Sequence, residues 1–179
     1  MHNDIAEILI TEKELQSRIA ELGKEVAKDY EGKTPIFVGV LKGAIMFFAD
    51  MVRATPIPCE YDFMAVSSYG AATISSGKIN LIKDLSADIK GRHVVILEDI
   101  LDTGNTLRFV VDHLLEKEPA SLKICTLLDK PSRRTAPIEA DYVGFTIPNQ
   151  FVVGYGLDYD EIYRNIPYVG ILKPEVYKK

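Results

Sequence analysis

Apolar residues recur along this chain with two different periods, and their succession predicts its layout. Leu15, Ile19, Leu22 and Val26 fall three or four residues apart behind Thr11-Glu12-Lys13-Glu14, which has the Thr-x-x-Glu form of a capping box. This predicts a helix over residues 12–29, broken by Gly32 and Pro35. Ile36-Phe37-Val38-Gly39-Val40 shows no polar alternation, so it predicts a strand buried on both faces at the centre of a sheet. Leu41-Lys42-Gly43-Ala44 is the turn after it, and a second helix begins over 45–51. Further strands are expected over 59–66, 78–84, 94–97, 122–128 and 142–147, the one at 78–84 pairing back on its predecessor. Residues 107–115 carry a helical pattern. Between the strands, 67–77 holds two glycines, four serines and a threonine, which predicts a mobile loop. Residues 129–137 form a polar loop bounded by prolines, and from Phe151 onward glycine, tyrosine and acid alternate without a regular period. Strands alternating with helices predict the α/β class, a parallel sheet flanked by helices.

Length and charge bound the function. With 179 residues and no internal linker, one domain over 1–179 with a sizeable core is expected. A formal net charge of −5 argues against a nucleic-acid partner. No apolar run approaches the roughly 18 residues of a membrane span. The start, Met1-His2-Asn3-Asp4, is polar and acidic, unlike a secretory signal, so a cytoplasmic protein with no membrane partner is expected. Cys59 and Cys125 stand among apolar or strand-like residues and read as reduced thiols. His2, His93 and His113 have no partner pattern for zinc or for a nucleophilic triad. Gly154-Tyr155-Gly156 lacks the third glycine of a dinucleotide fingerprint, and there is no Gly-Lys-Thr/Ser phosphate loop.

The chemistry concentrates in Val94-Val95-Ile96-Leu97-Glu98-Asp99-Ile100-Leu101-Asp102-Thr103-Gly104-Asn105-Thr106. An apolar strand ends in two adjacent carboxylates, a third follows, and a hydroxyl-rich turn leads into a helix. In open α/β sheets, ligands bind at the carboxyl ends of the strands. The free N–H groups of a helix start suit a phosphate. An ordinary strand–turn–helix with a solvated acidic end would leave three carboxylates repelling each other around a buried strand end unless something positive sits there.

This run resembles the signature of the type I phosphoribosyltransferases, in residue type, order and spacing. That resemblance implies the phosphoribosyltransferase fold, with a small hood from the terminal segments, and 5-phosphoribosyl-1-diphosphate (PRPP) as substrate. Three more segments resemble the hypoxanthine-guanine branch of the family. Lys42 and Gly43 match its diphosphate turn, whose leading peptide is cis in the family, and Ser68 and Tyr69 match its flexible lid. Leu128-Asp129-Lys130, then Phe151-Val152-Val153 through Asp158, and Arg164, match its purine pocket and second metal site.

The resemblance implies a role for each residue. Glu98 and Asp99 would hold the ribose hydroxyls, directly or through metal-bound water, with Mg²⁺ suited to such oxygen ligands. Asp102 would be the general base or the partner of purine N7; its alternative role is the N-cap of the following helix. Thr103, Gly104, Asn105 and Thr106 would form the 5′-phosphate loop, with Asn105 where many relatives carry lysine. Lys130 would donate to the purine 6-oxo group; otherwise it is a surface lysine before Pro131. Phe151 would stack on the base and Val152 present backbone groups to its edge. Asp158 would bind a second Mg²⁺, and Lys42 and Arg164 would contact diphosphate. Purine and PRPP are the implied partners, in a homodimer or homotetramer. A transferase preferring xanthine or another base, and an RNA-binding regulator of the same fold, stay open at this point. The acidic balance disfavours the regulator.

Overall fold

The structure is a computed structural model that describes residues 1–68 and 79–178, with Ser68 described by its backbone alone. The elements in chain order are β1 (Ile5–Ile10), α1 (Glu12–Asp29), β2 (Ile36–Leu41), α2 (Ile45–Ala54), β3 (Glu60–Ser68), β4 (Ile79–Lys83), β5 (His93–Leu101), α3 (Asn105–Leu115), β6 (Ser121–Asp129), β7 (Tyr142–Thr146), β8 (Val152–Val153), β9 (Val169–Leu172) and α4 (Pro174–Tyr177). The expected mobile loop at 67–77 and Tyr69 within it fall almost wholly outside the described residues.

Helix α1 starts at the expected capping box. Thr11 accepts from the Glu14 N–H at 3.3 Å, and the Glu14 carboxylate accepts from the Thr11 N–H at 2.8 Å. The main sheet has the order β4-β3-β2-β5-β6-β7. Its pairings are parallel except for β4, which runs antiparallel to β3 at the edge. The central strands alternate side chains between two apolar layers, because successive residues of a strand face opposite ways. Phe37, Val95, Leu97, Cys125 and Leu127 pack with the buried faces of α1 and α2. Ile36, Val38, Ile96 and Ile124 pack with Leu107, Val110 and Leu114 of α3 on the other face. Burial on both faces explains the lack of polar alternation in β2 and β5.

Two sequence expectations need correction. Strand β5 does not end at Leu97 but runs through both carboxylates to Leu101. Its ladder with β2 stops at the Gly39–Leu97 pair, while β6 continues alongside as far as the pairing of Leu101 with Asp129. Glu98 and Asp99 therefore stand past the last β2–β5 pair while still held in the sheet by β6. The segment after Phe151 is also not irregular throughout. Strands β8 and β9 join β1 in a second antiparallel sheet of order β1-β9-β8. This small sheet, made of the two terminal segments, corresponds to the expected hood.

Candidate active site

The carboxyl ends of β2, β5 and β6 converge, as the parallel order dictates, and each is followed by a turn carrying candidate residues. Glu98 and Asp99 are 9% and 8% exposed. Neither forms an ion pair with Lys, Arg or His among the described residues. Burial first, and then the charge of Asp99 beside it, pushes the Glu98 carboxyl well above its ordinary range. Burial raises Asp99 too, against the pull of its hydrogen bonds and of Arg164. Two adjacent buried carboxylates with raised proton affinity are a donor set for a hard cation with oxygen ligands. No group of three or more His, Cys, Asp or Glu side chains that could hold a metal converges among the described residues. A Mg²⁺ ion at this pair would thus complete its shell with water and substrate oxygens, which is its usual habit.

The β2 turn touches this pair directly. The Leu41–Lys42 peptide is cis, as the resemblance implies. A Cβ on Gly43 would lie 1.9 Å from Asp99 Oδ2, so any larger residue there makes the Asp99 carboxylate or the turn shift. The loop after β8 closes on the same turn, since a Cβ on Gly156 would lie 2.0 Å from the Gly43 carbonyl oxygen. Lys42 reaches outward, and its ammonium pairs with Glu161 at 3.0 Å. Arg164 donates to the Gly156 carbonyl at 2.7 Å and pairs with Asp158 at 2.9 Å and Glu161 at 3.3 Å. The two expected diphosphate cations are thus both held by one carboxylate, Glu161.

Beyond β5, the cavity lined by Glu98, Asp99, Ile100, Asp102, Thr103, Gly104 and Thr106 runs along the turn into α3. Gly104 adopts φ 84° at the N-cap position of that helix, where glycine carries no steric penalty, and no side chain caps it. Asp102 is therefore not the N-cap. The first-turn N–H groups of α3 are left for another acceptor, apart from a 3.5 Å contact of the Asn105 N–H with Thr103 Oγ1. Asn105 itself is exposed and does not line the cavity.

A second cavity adjoins the first, lined by Ile100, Asp102, Lys130, Arg133, Phe151, Val152, Leu157 and Tyr177 among others. Ile100 and Asp102 line both. Lys130 is 6% exposed, so it is not a surface lysine, and its ammonium donates to the Gln150 carbonyl at 2.9 Å. Burial lowers its proton affinity, opposed by the charge of Asp102. Phe151 keeps 37% of its surface exposed, and Val152 is buried in β8.

Two contributors escaped the sequence reading. Arg134 was part of a polar loop there. It is half-buried, and its guanidinium donates to the Asp102 carbonyl at 3.0 Å, the Leu101 carbonyl at 3.2 Å and the Ile138 carbonyl at 2.7 Å, while pairing with Asp129. It thereby ties the turn after β5 to the end of β6. Glu161 gave no signal, since its importance lies in a contact with Lys42, which is distant in sequence.

Comparison with known proteins places this geometry. The phosphoribosyl transferase domain family matches residues 6–160. A hypoxanthine-guanine phosphoribosyltransferase of Streptococcus pneumoniae is 55% identical over 177 residues, covering 99% of this chain and 98% of its own. The crystal structure of a hypoxanthine phosphoribosyltransferase from Staphylococcus aureus superposes with a TM-score of 0.96 at 52% identity, covering 100% of this chain and 97% of that one. A bifunctional protein TilS/HprT of Listeria monocytogenes is 56% identical over 179 residues. The chain spans 28% of the length of that relative.

Proposed function

The chain belongs to the phosphoribosyl transferase domain family, and from that premise we propose that it moves the 5-phosphoribosyl group of PRPP onto hypoxanthine and guanine. The products are the nucleoside 5′-monophosphate and diphosphate, a purine-salvage reaction. One observation carries the reading. Ile100 and Asp102 line both the cavity of the acidic pair and uncapped helix start and the cavity of Lys130 and Phe151. A sugar phosphate in the first and a flat base in the second would meet beside the Asp102 carboxylate.

The residues then divide the work. The α3 N–H groups, with Thr103, Gly104 and Thr106, hold the 5′-phosphate. Glu98 and Asp99 hold the ribose hydroxyls. Glu98 and Asp99 would hold one Mg²⁺ and Asp158 a second, and such ions would supply positive charge against the departing diphosphate. Lys42 and Arg164, released from Glu161, hold the same diphosphate from the protein side. The C1′–oxygen bond breaks ahead of full N9–C1′ bond formation, and Asp102 accepts or shares the purine proton as N9 attacks. Loop 67–77, with Ser68 and Tyr69, is assigned the part of a lid that keeps water from PRPP. Its placement lies outside the described residues. The protein acts in the cytoplasm as a homodimer or homotetramer on this reading; no helix of the described residues is long and apolar enough to cross a membrane.

Base choice tests the proposal. Lys130, buried with donors to spare, faces a 6-oxo acceptor well and a 6-amino donor badly, leaving both unpaired in the second case. Phe151 accepts any aromatic face, and such stacking contributes about 1–3 kcal/mol per base. Steady-state kcat/KM for hypoxanthine, guanine, xanthine and adenine with PRPP is expected to favour the 6-oxopurines. Lys130→Ala narrows the hypoxanthine-to-adenine ratio by roughly tenfold or more, the scale of one buried unpaired donor. Phe151→Ala weakens all bases together. An unchanged ratio in Lys130→Ala removes this lysine from base recognition, and no turnover of any purine with the intact enzyme sinks the proposal.

Gly43 provides a second check. Adding a methyl group at 43 forces the Asp99 carboxylate or the turn to move, and overpacking of this kind costs about 1–3 kcal/mol. Gly43→Ala is expected to lower kcat/KM for PRPP by about five- to 150-fold if that cost falls on binding. A variant with normal PRPP kinetics would show that the contact of Gly43 with Asp99 has no part in binding.

A further inference from the structure

The base cavity has a wall that the family signature did not mark, the aromatic ring of Tyr177. This ring lies stacked on Phe151, with centroids 4.7 Å apart and planes 19° apart. Tyr159 meets the Phe151 ring edge-on at 5.8 Å and 86°. Phe151 thus has one face covered by a parallel ring and an edge held by a perpendicular one, yet 37% of the residue stays exposed. Its backbone is held by the same terminal segment, since the Leu172 N–H donates to the Phe151 carbonyl at 2.9 Å. The segment is itself anchored, because the Lys173 N–H donates to the Asp4 carbonyl at 2.9 Å beside β1. Helix α4, with Pro174 in its first turn, then carries Tyr177 back over the ring.

We infer that Tyr177 is a positioning residue of the base cavity, fixing the plane of Phe151 so that the ring's other face is preset for the purine. This rests on the proposed role of Phe151 and adds a residue to it. A phenylalanine on an open rim turns among several rotamers, and ordering it when the base arrives subtracts from affinity. A ring already held in a stack needs no such ordering. Parallel aromatic pairs of this kind are favourable beyond the area they bury. Tyr177 acts through Phe151, so it bears on base affinity rather than on the reacting atoms.

The experiment is steady-state kinetics of Tyr177→Ala, Tyr177→Leu, Tyr177→Phe, Phe151→Ala and the Phe151→Ala/Tyr177→Ala double variant, with hypoxanthine varied at saturating PRPP and the reverse. Tyr177→Ala is expected to raise KM for hypoxanthine about two- to tenfold, the affinity lost when one side chain must be ordered on binding. Its kcat and its KM for PRPP stay near those of the unmodified enzyme. Tyr177→Leu, which fills the space without a flat face, behaves like Tyr177→Ala, and Tyr177→Phe behaves like the unmodified enzyme. In the Phe151→Ala background, Tyr177→Ala adds nothing. The inference is overturned if Tyr177→Ala leaves KM for hypoxanthine unchanged, or lowers it as a ring competing with the base would. An equal loss in the Phe151→Ala background overturns it as well. If Phe151→Ala alone leaves KM for every base unchanged, it is the assignment of the base cavity that has failed.

Discussion

Removal of divalent cations is expected to abolish turnover, and Mg²⁺ is expected to restore it. Glu98 and Asp99 are neighbours in sequence, almost wholly buried, and without an ion-pairing partner among the described residues. Burial raises the proton affinity of both, and the neighbouring Asp99 charge raises that of Glu98 further. Such a pair is costly to keep charged unless a cation arrives with the substrate. PRPP brings phosphates that need the same cation, so substrate and carboxylates complete one shell. Neutralising the leaving diphosphate contributes several kcal/mol to the transition state. At about 1.4 kcal/mol per factor of ten, losing it lowers kcat by roughly 10²-fold or more. Among the described residues no third His, Cys, Asp or Glu joins Glu98 and Asp99 to form a ligand cluster, so on the proposed reading the ion would belong to the substrate complex rather than to the folded chain. EDTA alone should therefore leave the melting temperature unchanged. The test is turnover after exhaustive dialysis against EDTA, followed by a Mg²⁺ titration. Full activity in the stripped protein would remove the metal from the reaction.

The sequence made local order legible and long-range pairing illegible. Helix α1 could be read to the residue because its signals, the capping box and the apolar spacing, lie within it. Strands β2 and β5 could be read because burial on both faces leaves an uninterrupted apolar run. The true end of β5 could not, because Glu98 and Asp99 look like loop residues and only the neighbouring β6 keeps them extended. Strands β8 and β9 are two and four residues long, and β1, which pairs with β9, stands at the other end of the chain. No local rhythm announces such a sheet. Among site residues, Lys130 read as either a pocket or a surface lysine, and its burial favours the pocket. Arg134 and Glu161 remained hidden because what they do is join turns that are far apart in sequence.

Asp102→Asn is expected to lower kcat by roughly 10²-fold or more, the usual range for a positioned acid–base group, while leaving the fold and PRPP binding intact. The structure separates the two parts of this residue. Its backbone is structural, for Arg134 grips the Asp102 carbonyl, and the neighbouring Leu101 and Thr103 carbonyls accept from Lys130, Thr135 and Ala136 N–H groups at 3.0 Å. Its side chain is not, because Gly104 and not Asp102 occupies the N-cap of α3. The carboxylate, 36% exposed, has one ionic partner among the described residues, Arg133 at 3.3 Å, also exposed. Exposed pairs of this kind add little to stability. Asparagine keeps the shape and can still hydrogen-bond to a purine nitrogen, but it cannot accept a proton at neutral pH. The variant therefore removes proton transfer and little else. Stopped-time assays of nucleotide formation give kcat, and the melting temperature together with KM for PRPP reports whether fold and binding survive. Near-normal turnover would take Asp102 out of the mechanism and leave its place between the two cavities without a chemical role.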